Sequence, residues 1–231
     1  MLAHLPLRAA IFDLDGTLID QRVAQDAAAV AFAADHGIVA DDVAERWHVI
    51  AHRHYRRYQT REITFEQQRC ERVREFLGRD FSDADATEIF GAYLTRYEAG
   101  WQIYADAVPV LRRAREAGLV VALLTNGQQT QQFRKLERFA LVSEIDVVLC
   151  SSELPAGKPD PRAYAAVLDR LGVAADEAVM IGDSIEADVQ GALAAGLHAV
   201  HLARLGEEPV GHVHHAVSLD ELRFAPAERT A

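Results

Sequence analysis

Four short strings hold most of the chemical capacity of this sequence. They are Asp13-Leu14-Asp15-Gly16-Thr17, Thr125-Asn126-Gly127, Gly157-Lys158-Pro159 and Gly182-Asp183-Ser184, with Asp188 one helical turn beyond the last. Together they supply carboxylates, one ammonium group, and hydroxyl and amide donors. Carboxylates are hard oxygen ligands for a cation such as Mg²⁺. A carboxylate can also serve as a nucleophile and form a covalent intermediate, and a second carboxyl nearby can move protons. Clustered carboxylates repel an anionic reactant, so such a site needs a metal and a lysine for local positive charge. Each string alone has an ordinary explanation: a turn, a strand-to-helix connection, a solvated loop lysine, or acids at a helix terminus. Those explanations leave one thing unaccounted for, which is that the strings fall at the ends of successive strands.

In open parallel sheets ligands gather at the carboxyl ends of the strands, so the elements carrying these strings decide whether they meet. An apolar run over about 8–14 reads as a buried strand that stops at the first acidic string. From about 21 to 99 the pattern is helical only. Val23, Ala27, Val30, Ala31 and Ala34 recur at helical spacing, with Gly37 as a stop. A second helix starts near Asp41 and aligns Val43, Trp47, Ile50, His54 and Tyr58. Thr64 and Gln67 form a capping-box pair opening a third, which closes at Gly78. A fourth begins near Ser82 and carries Ile89, Phe90, Tyr93, Leu94 and Tyr97. Four amphipathic helices with short links predict a small bundle.

After Trp101 helix and strand alternate. Helices are expected over 107–117, 129–139, 161–171 and 186–195, and strands over 119–124, 145–149, 178–181 and 198–202, with a short strand near 215–217. Residues after about 224 are expected to be loose. This alternation predicts an α/β protein with a doubly wound parallel, Rossmann-like sheet covered on both faces. The bundle is then an insertion, with 19–101 as one domain and 1–18 plus 102–231 as the other.

The net charge of −11 disfavours binding to nucleic acid or to an anionic membrane, which attract basic surfaces. The basic stretch His52-Arg53-His54-Tyr55-Arg56-Arg57 points all round its helix and reads as a solvated or salt-bridged face. No apolar run approaches the ~18 residues of a membrane span, and residues 1–10 are too short and polar-interrupted for a signal peptide. Cys70 and Cys150 have no metal or redox spacing, so no disulfide framework is expected and a reducing cytoplasm fits best. His212-Val213-His214-His215 reads as a surface loop rather than a zinc site.

The four strings in this order resemble the motifs of the haloacid dehalogenase-like (HAD) hydrolase superfamily. The matching residues are Asp13-x-Asp15-x-Thr17, Thr125, Lys158, and Gly182-Asp183 followed by Asp188. The helical insertion between the first and second motifs is similar to that superfamily's first cap type. The resemblance implies a Mg²⁺-dependent phosphatase acting on a small phosphorylated metabolite through a phospho-aspartate on Asp13. It implies that Asp15 protonates the leaving oxygen and later takes a proton from water. It also implies that Asp13, Asp183 and the Asp15 backbone carbonyl hold the metal, with Asp188 acting through water or on Lys158. Thr17, Thr125, backbone donors near Asn126, and Lys158 would hold phosphoryl oxygens.

Within the superfamily, dehalogenases lack the second acid of the first motif, whereas Asp15 is present here. Phosphonate-cleaving relatives need a cap lysine, and no lysine lies between Gln21 and Trp101. Sugar phosphomutases share the acids, although the best-known ones carry valine where Thr17 stands. A non-catalytic phospholigand-binding module would have lost an acid, and none is missing. The run Leu124–Gln128, with Leu136-Glu-Arg138 and the spacing from Gly182 to Asp188, resembles pyrimidine nucleotidases and N-acylneuraminate 9-phosphatases. Ala187 departs from that branch, where Asn is frequent. A nucleotide or sugar phosphate is the favoured substrate class, Arg69 and Arg72 are candidate cap contacts, and the expected assembly is a monomer or homodimer.

Overall fold

The computed structural model describes residues 2, 4–204, 206, 208–209, 211 and 213–225. Two compact units emerge: Met1–Ile19 with Ile103–Ala231, and Asp20–Gln102.

The first unit is built on a six-stranded parallel sheet of order β5-β4-β1-β6-β7-β8. The strands are β1 (Ala9–Phe12), β4 (Val120–Thr125), β5 (Val147–Cys150), β6 (Ala178–Gly182), β7 (His198–Leu202) and β8 (His214–Ala216). Strands buried on both faces read as continuous apolar runs, and Ala-Ala-Ile-Phe of β1 is buried at every position. Register aligns Ile11 with Ala122 of β4 and with Met180 of β6. This puts the carboxyl ends of β1, β4 and β6 level with one another. Helices α5 (Ala107–Glu116), α6 (Gln129–Arg138) and α7 (Pro161–Leu171) belong to the same unit. Pro161 opens α7 at its first turn and Gly172 closes it in the left-handed conformation, as the spacing predicted.

The helix expected over 186–195 forms in two parts. Ile185–Gln190 is a wide π turn, followed by the four-residue α8 (Gly191–Ala194). The cause is local. Asp188 turns inward, and its Oδ2 accepts the amide of Ser184 at 3.0 Å, so a widened turn places a carboxylate among other charges. The short strand expected near 215–217 forms as β8, one residue earlier, and takes in His214 and His215 from the stretch read as a surface loop; His212 falls outside the described residues.

The second unit holds α1 (Arg22–Asp35), α2 (Val43–Gln59), α3 (Phe65–Leu77) and α4 (Asp83–Ala99). Their inner faces are aromatic: Trp47 lies 4.5 Å from Tyr93, 5.1 Å from Phe76 and 5.5 Å from Phe32 between ring centroids. Thr64 and Gln67 form the expected capping box, and Gly78 ends α3 at φ 62°. Two short strands absent from the sequence reading, β2 (Ile19–Asp20) and β3 (Gln102–Ile103), pair where the chain passes from one unit to the other. At two residues each, they are too short to show an alternating pattern.

Candidate active site

Lys158 organises the ends of β1 and β6. Its Nζ donates to Asp13 Oδ1 at 2.7 Å and to Asp188 Oδ1 at 2.6 Å. Asp13 follows directly on β1 and is anchored by its own amide, which donates to the Ile181 carbonyl at 2.9 Å. Asp13, Lys158 and Asp188 are 7 %, 4 % and 1 % exposed, so these are charges removed from water. Buried charges persist only when paired and hydrogen-bonded. Asn126 aims the lysine: its Oδ1 accepts the Lys158 amide at 2.8 Å and its Nδ2 donates to the Lys158 carbonyl at 2.7 Å.

Two glycines make the convergence sterically possible. Gly16 sits at φ +86°, and a Cβ there would collide with the Asp183 carboxylate. A Cβ on Gly182 would collide with the Asp188 carboxylate.

Asp13, Asp183 and Asp188 each present an oxygen within 4.8 Å of the others. Against these three carboxylates stands one ammonium group. Burial pushes the Asp13 carboxyl well above its ordinary range, with Asp188 and Asp183 adding to the rise and Lys158 opposing it. Asp183 reaches the surface, yet enclosure of its carboxyl and the neighbouring Asp188 push it up to about 7. Burial alone would lower Lys158, but Asp13 and Asp188 outweigh it and hold the ammonium group charged. A hard divalent cation fits this set: the donors are all carboxylate oxygens, and their negative charge exceeds what Lys158 balances.

The remaining expected residues separate. Thr125 is buried at the end of β4, where its Oγ1 accepts from Gln132 Nε2 at 2.7 Å. Thr17, expected to hold phosphate, is 0 % exposed, and its Oγ1 has no hydrogen-bond partner among the described residues. What Thr17 does offer is its carbonyl, which accepts from Arg204 at 2.7 Å. Asn126, expected near the phosphate, spends its side chain on the Lys158 backbone. On the helical unit, the Arg69 guanidinium lies 4.2 Å from the Phe65 ring and Arg72 lies 5.7 Å from the Tyr55 ring. Within the basic stretch of α2, Arg53 pairs with Glu75 and Arg57 with Glu62, while His54 shares a hydrogen bond with Glu75. Both cysteines are free and buried, and burial pushes the Cys150 thiol up to about 12.

Sequence reading missed two residues of the site. Asp15 does not point into the three-carboxylate cluster. Its Oδ1 accepts from Lys135 Nζ at 2.5 Å and its Oδ2 from Gln132 Nε2 at 2.9 Å. Both partners lie on α6, and both are 2 % exposed. A signal was available: Lys135 and Lys158 are the only lysines in the chain.

The described residues contain no helix long and apolar enough to cross a membrane. A family model described as haloacid dehalogenase-like hydrolase matches residues 7–196. The phosphoserine phosphatase of Thermus thermophilus is 41 % identical over 119 residues, which is 52 % of this chain and 47 % of that protein. The chain thus spans about half the length of the first curated relatives it matches. The (S)-2-haloacid dehalogenase 1 of Pseudomonas sp. is 28 % identical over 204 residues, 87 % of either chain. Among solved structures, the hydrolase YfnB from Bacillus subtilis, bound to magnesium, aligns with a TM-score of 0.75 at 22 % identity over 93 % of this chain and 96 % of that one. At that identity the likeness concerns the fold: a six-stranded parallel core with a helical cap, α1–α4, inserted after the first strand. The chain belongs to the haloacid dehalogenase-like hydrolase family.

Proposed function

We propose that the protein is a Mg²⁺-dependent phosphatase of small phosphorylated metabolites, working through an aspartyl phosphate on Asp13. The observation that carries this reading is the Lys158 ammonium group bridging Asp13 and Asp188 beside Asp183, at the carboxyl edge of the sheet. Asp13 Oδ attacks phosphorus as the bond from phosphorus to the ester oxygen breaks. Asp15 gives its proton to the departing oxygen, releasing the alcohol. A water molecule then attacks the phosphorus of the acyl phosphate while Asp15 takes a proton from it. Inorganic phosphate leaves, and the Asp13 carboxylate is restored. Lys158 neutralises charge on the transferring group. Mg²⁺, held by oxygens of Asp13 and Asp183 and the Asp15 carbonyl with Asp188 alongside, would supply the remaining positive charge.

The dehalogenase relative favours a second reading, attack of Asp13 on a carbon–halogen bond. The presence of Asp15 argues for phosphoryl transfer instead, because halide leaves without a proton. Phosphomutase chemistry uses the same acids and differs only in the acceptor of the phosphoryl group. A nucleotide or sugar phosphate is the favoured substrate class. Support for Arg72 as a cap contact comes from its having no ion pair or hydrogen bond among the described residues, while its Nε is enclosed.

The test is a screen of phosphorylated metabolites and of p-nitrophenyl phosphate, with Mg²⁺ and with chelator. Phosphate release that requires Mg²⁺ is expected. No release under either condition, with halide release from 2-haloacids, would replace this reading by the dehalogenase one. Silence in both assays would leave a binding module.

A further inference from the structure

Asp15 is gripped from two sides by one helix face. Gln132 and Lys135 lie three residues apart on α6, so both side chains project the same way. Lys135 Nζ takes Oδ1 of Asp15 and Gln132 Nε2 takes Oδ2. The same Gln132 nitrogen also donates to Thr125 Oγ1 at 2.7 Å, which ties the grip to the end of β4. The Lys135 side chain is 2 % exposed and that of Asp15 17 % exposed. Bringing a lysine this far from water is costly unless a carboxylate meets it. A packing role alone could be filled by an aliphatic side chain at lower cost.

We propose that Lys135 and Gln132 are positioning residues that fix where the Asp15 carboxyl points, so that both of its proton transfers use one side-chain orientation. The idea rests on the acid–base role given to Asp15 above. It divides the two lysines by task. Lys158 serves the carboxylate that meets phosphorus, and Lys135 serves the carboxyl that moves protons. A proton donor contributes only when held within hydrogen-bond reach of the oxygen it serves. Outer supports of this kind typically carry about 10–100-fold in activity.

The departing oxygen supplies the readout. Phenyl phosphate releases a more basic oxygen than p-nitrophenyl phosphate, so it depends more on a proton donor, while the two esters are nearly the same size. Turnover of both is measured with Mg²⁺ for wild type, Asp15→Ala, Lys135→Met, Lys135→Arg and Gln132→Leu. Asp15→Ala is expected to slow phenyl phosphate by about 10²–10⁴-fold and the nitro ester far less. Lys135→Met should follow in the same direction by about 10–100-fold with KM little changed, and Lys135→Arg should recover most of the loss. Gln132→Leu should show a smaller shift in the same sense. It leaves no buried charge unpaired, so it also covers the case in which Lys135→Met does not fold. If Lys135→Met and Gln132→Leu slow both esters equally, or neither, while Asp15→Ala discriminates between them, the positioning role is overturned and the phosphatase reading stands. If Asp15→Ala does not discriminate, the acid–base assignment fails and the positioning role fails with it.

Discussion

The two units have interiors of opposite character. At the carboxyl edge of the sheet, Asp13, Lys158 and Asp188 are packed by charge, at hydrogen-bond distances of 2.6–2.7 Å. Inside the helical cap, Trp47, Phe32, Phe76 and Tyr93 are packed by volume, with ring centroids 4.5–6.1 Å apart in tilted and edge-on arrangements. Dispersion and burial reward any well-filled shape. An ion pair in a dry site rewards one charge pattern only. The difference teaches that a change preserving shape should destroy turnover in the first interior and cost little stability in the second, whereas a change preserving charge but not volume should cost the second interior most.

The sharpest way to break this comparison is Asp13→Asn, nearly identical in size. Turnover in the phosphate-release assay should fall by about 10⁴-fold or more while the thermal midpoint stays near or above that of wild type, because a carboxylate next to two others is removed. Comparable turnover in the variant would refute the nucleophile. In the cap the contrast lies between two replacements at one position. Trp47 is fully buried, so Trp47→Ala should lower stability by about 3–5 kcal/mol in urea denaturation, and Trp47→Phe by markedly less. Equal losses would show that the indole does more than fill space.

A third site tests the charge rule away from the chemistry. Asp106 accepts from Arg204 at 2.8 and 3.1 Å, from the Ser218 hydroxyl at 2.8 Å and from the Leu219 amide at 2.9 Å. Burial alone would raise its pKa, but these donors overcome that and hold the carboxyl below its ordinary value. Its stabilisation is therefore complete above the ordinary carboxylate range and is lost as pH falls through the lowered folded-state value. Asp106→Asn should cost about 3 kcal/mol at neutral pH, and the gap from wild type should narrow in acid. A gap that does not narrow would assign the loss to geometry. The smallest effect is expected at the α3 cap, where Thr64→Ala should lower stability by about 1 kcal/mol by removing the acceptor for the Gln67 amide.

This contrast also governs what could be read before the fold was seen. Asp13, Lys158, Asp183 and Asp188 were legible because their types are rare in apolar surroundings and each follows a recognisable strand. The helix ends at Thr64, Gly78, Pro161 and Gly172 were legible because caps are local chemistry. Lys135 was not, because its partner is 120 residues away and its own helix reads as amphipathic with or without it. The contact at Thr17 escaped for a similar reason: the Arg204 guanidinium that meets its carbonyl lies 187 residues away. The π turn at Ile185–Gln190 escaped too, because spacing gives no sign of the Ser184 amide and the Lys158 ammonium group that both meet the inward Asp188 carboxylate.

The shortage of lysine has a practical consequence. Arginine carries nearly all of the chain's 24 basic residues, and both lysine side chains are 2 % exposed. Guanidinium is inert to acylating reagents that label amines, so the arginine side chains of the folded protein are silent to them. Slow acetylation at Lys135 or Lys158, followed by mass spectrometry, would therefore clock how often the carboxyl edge of the sheet opens to solvent.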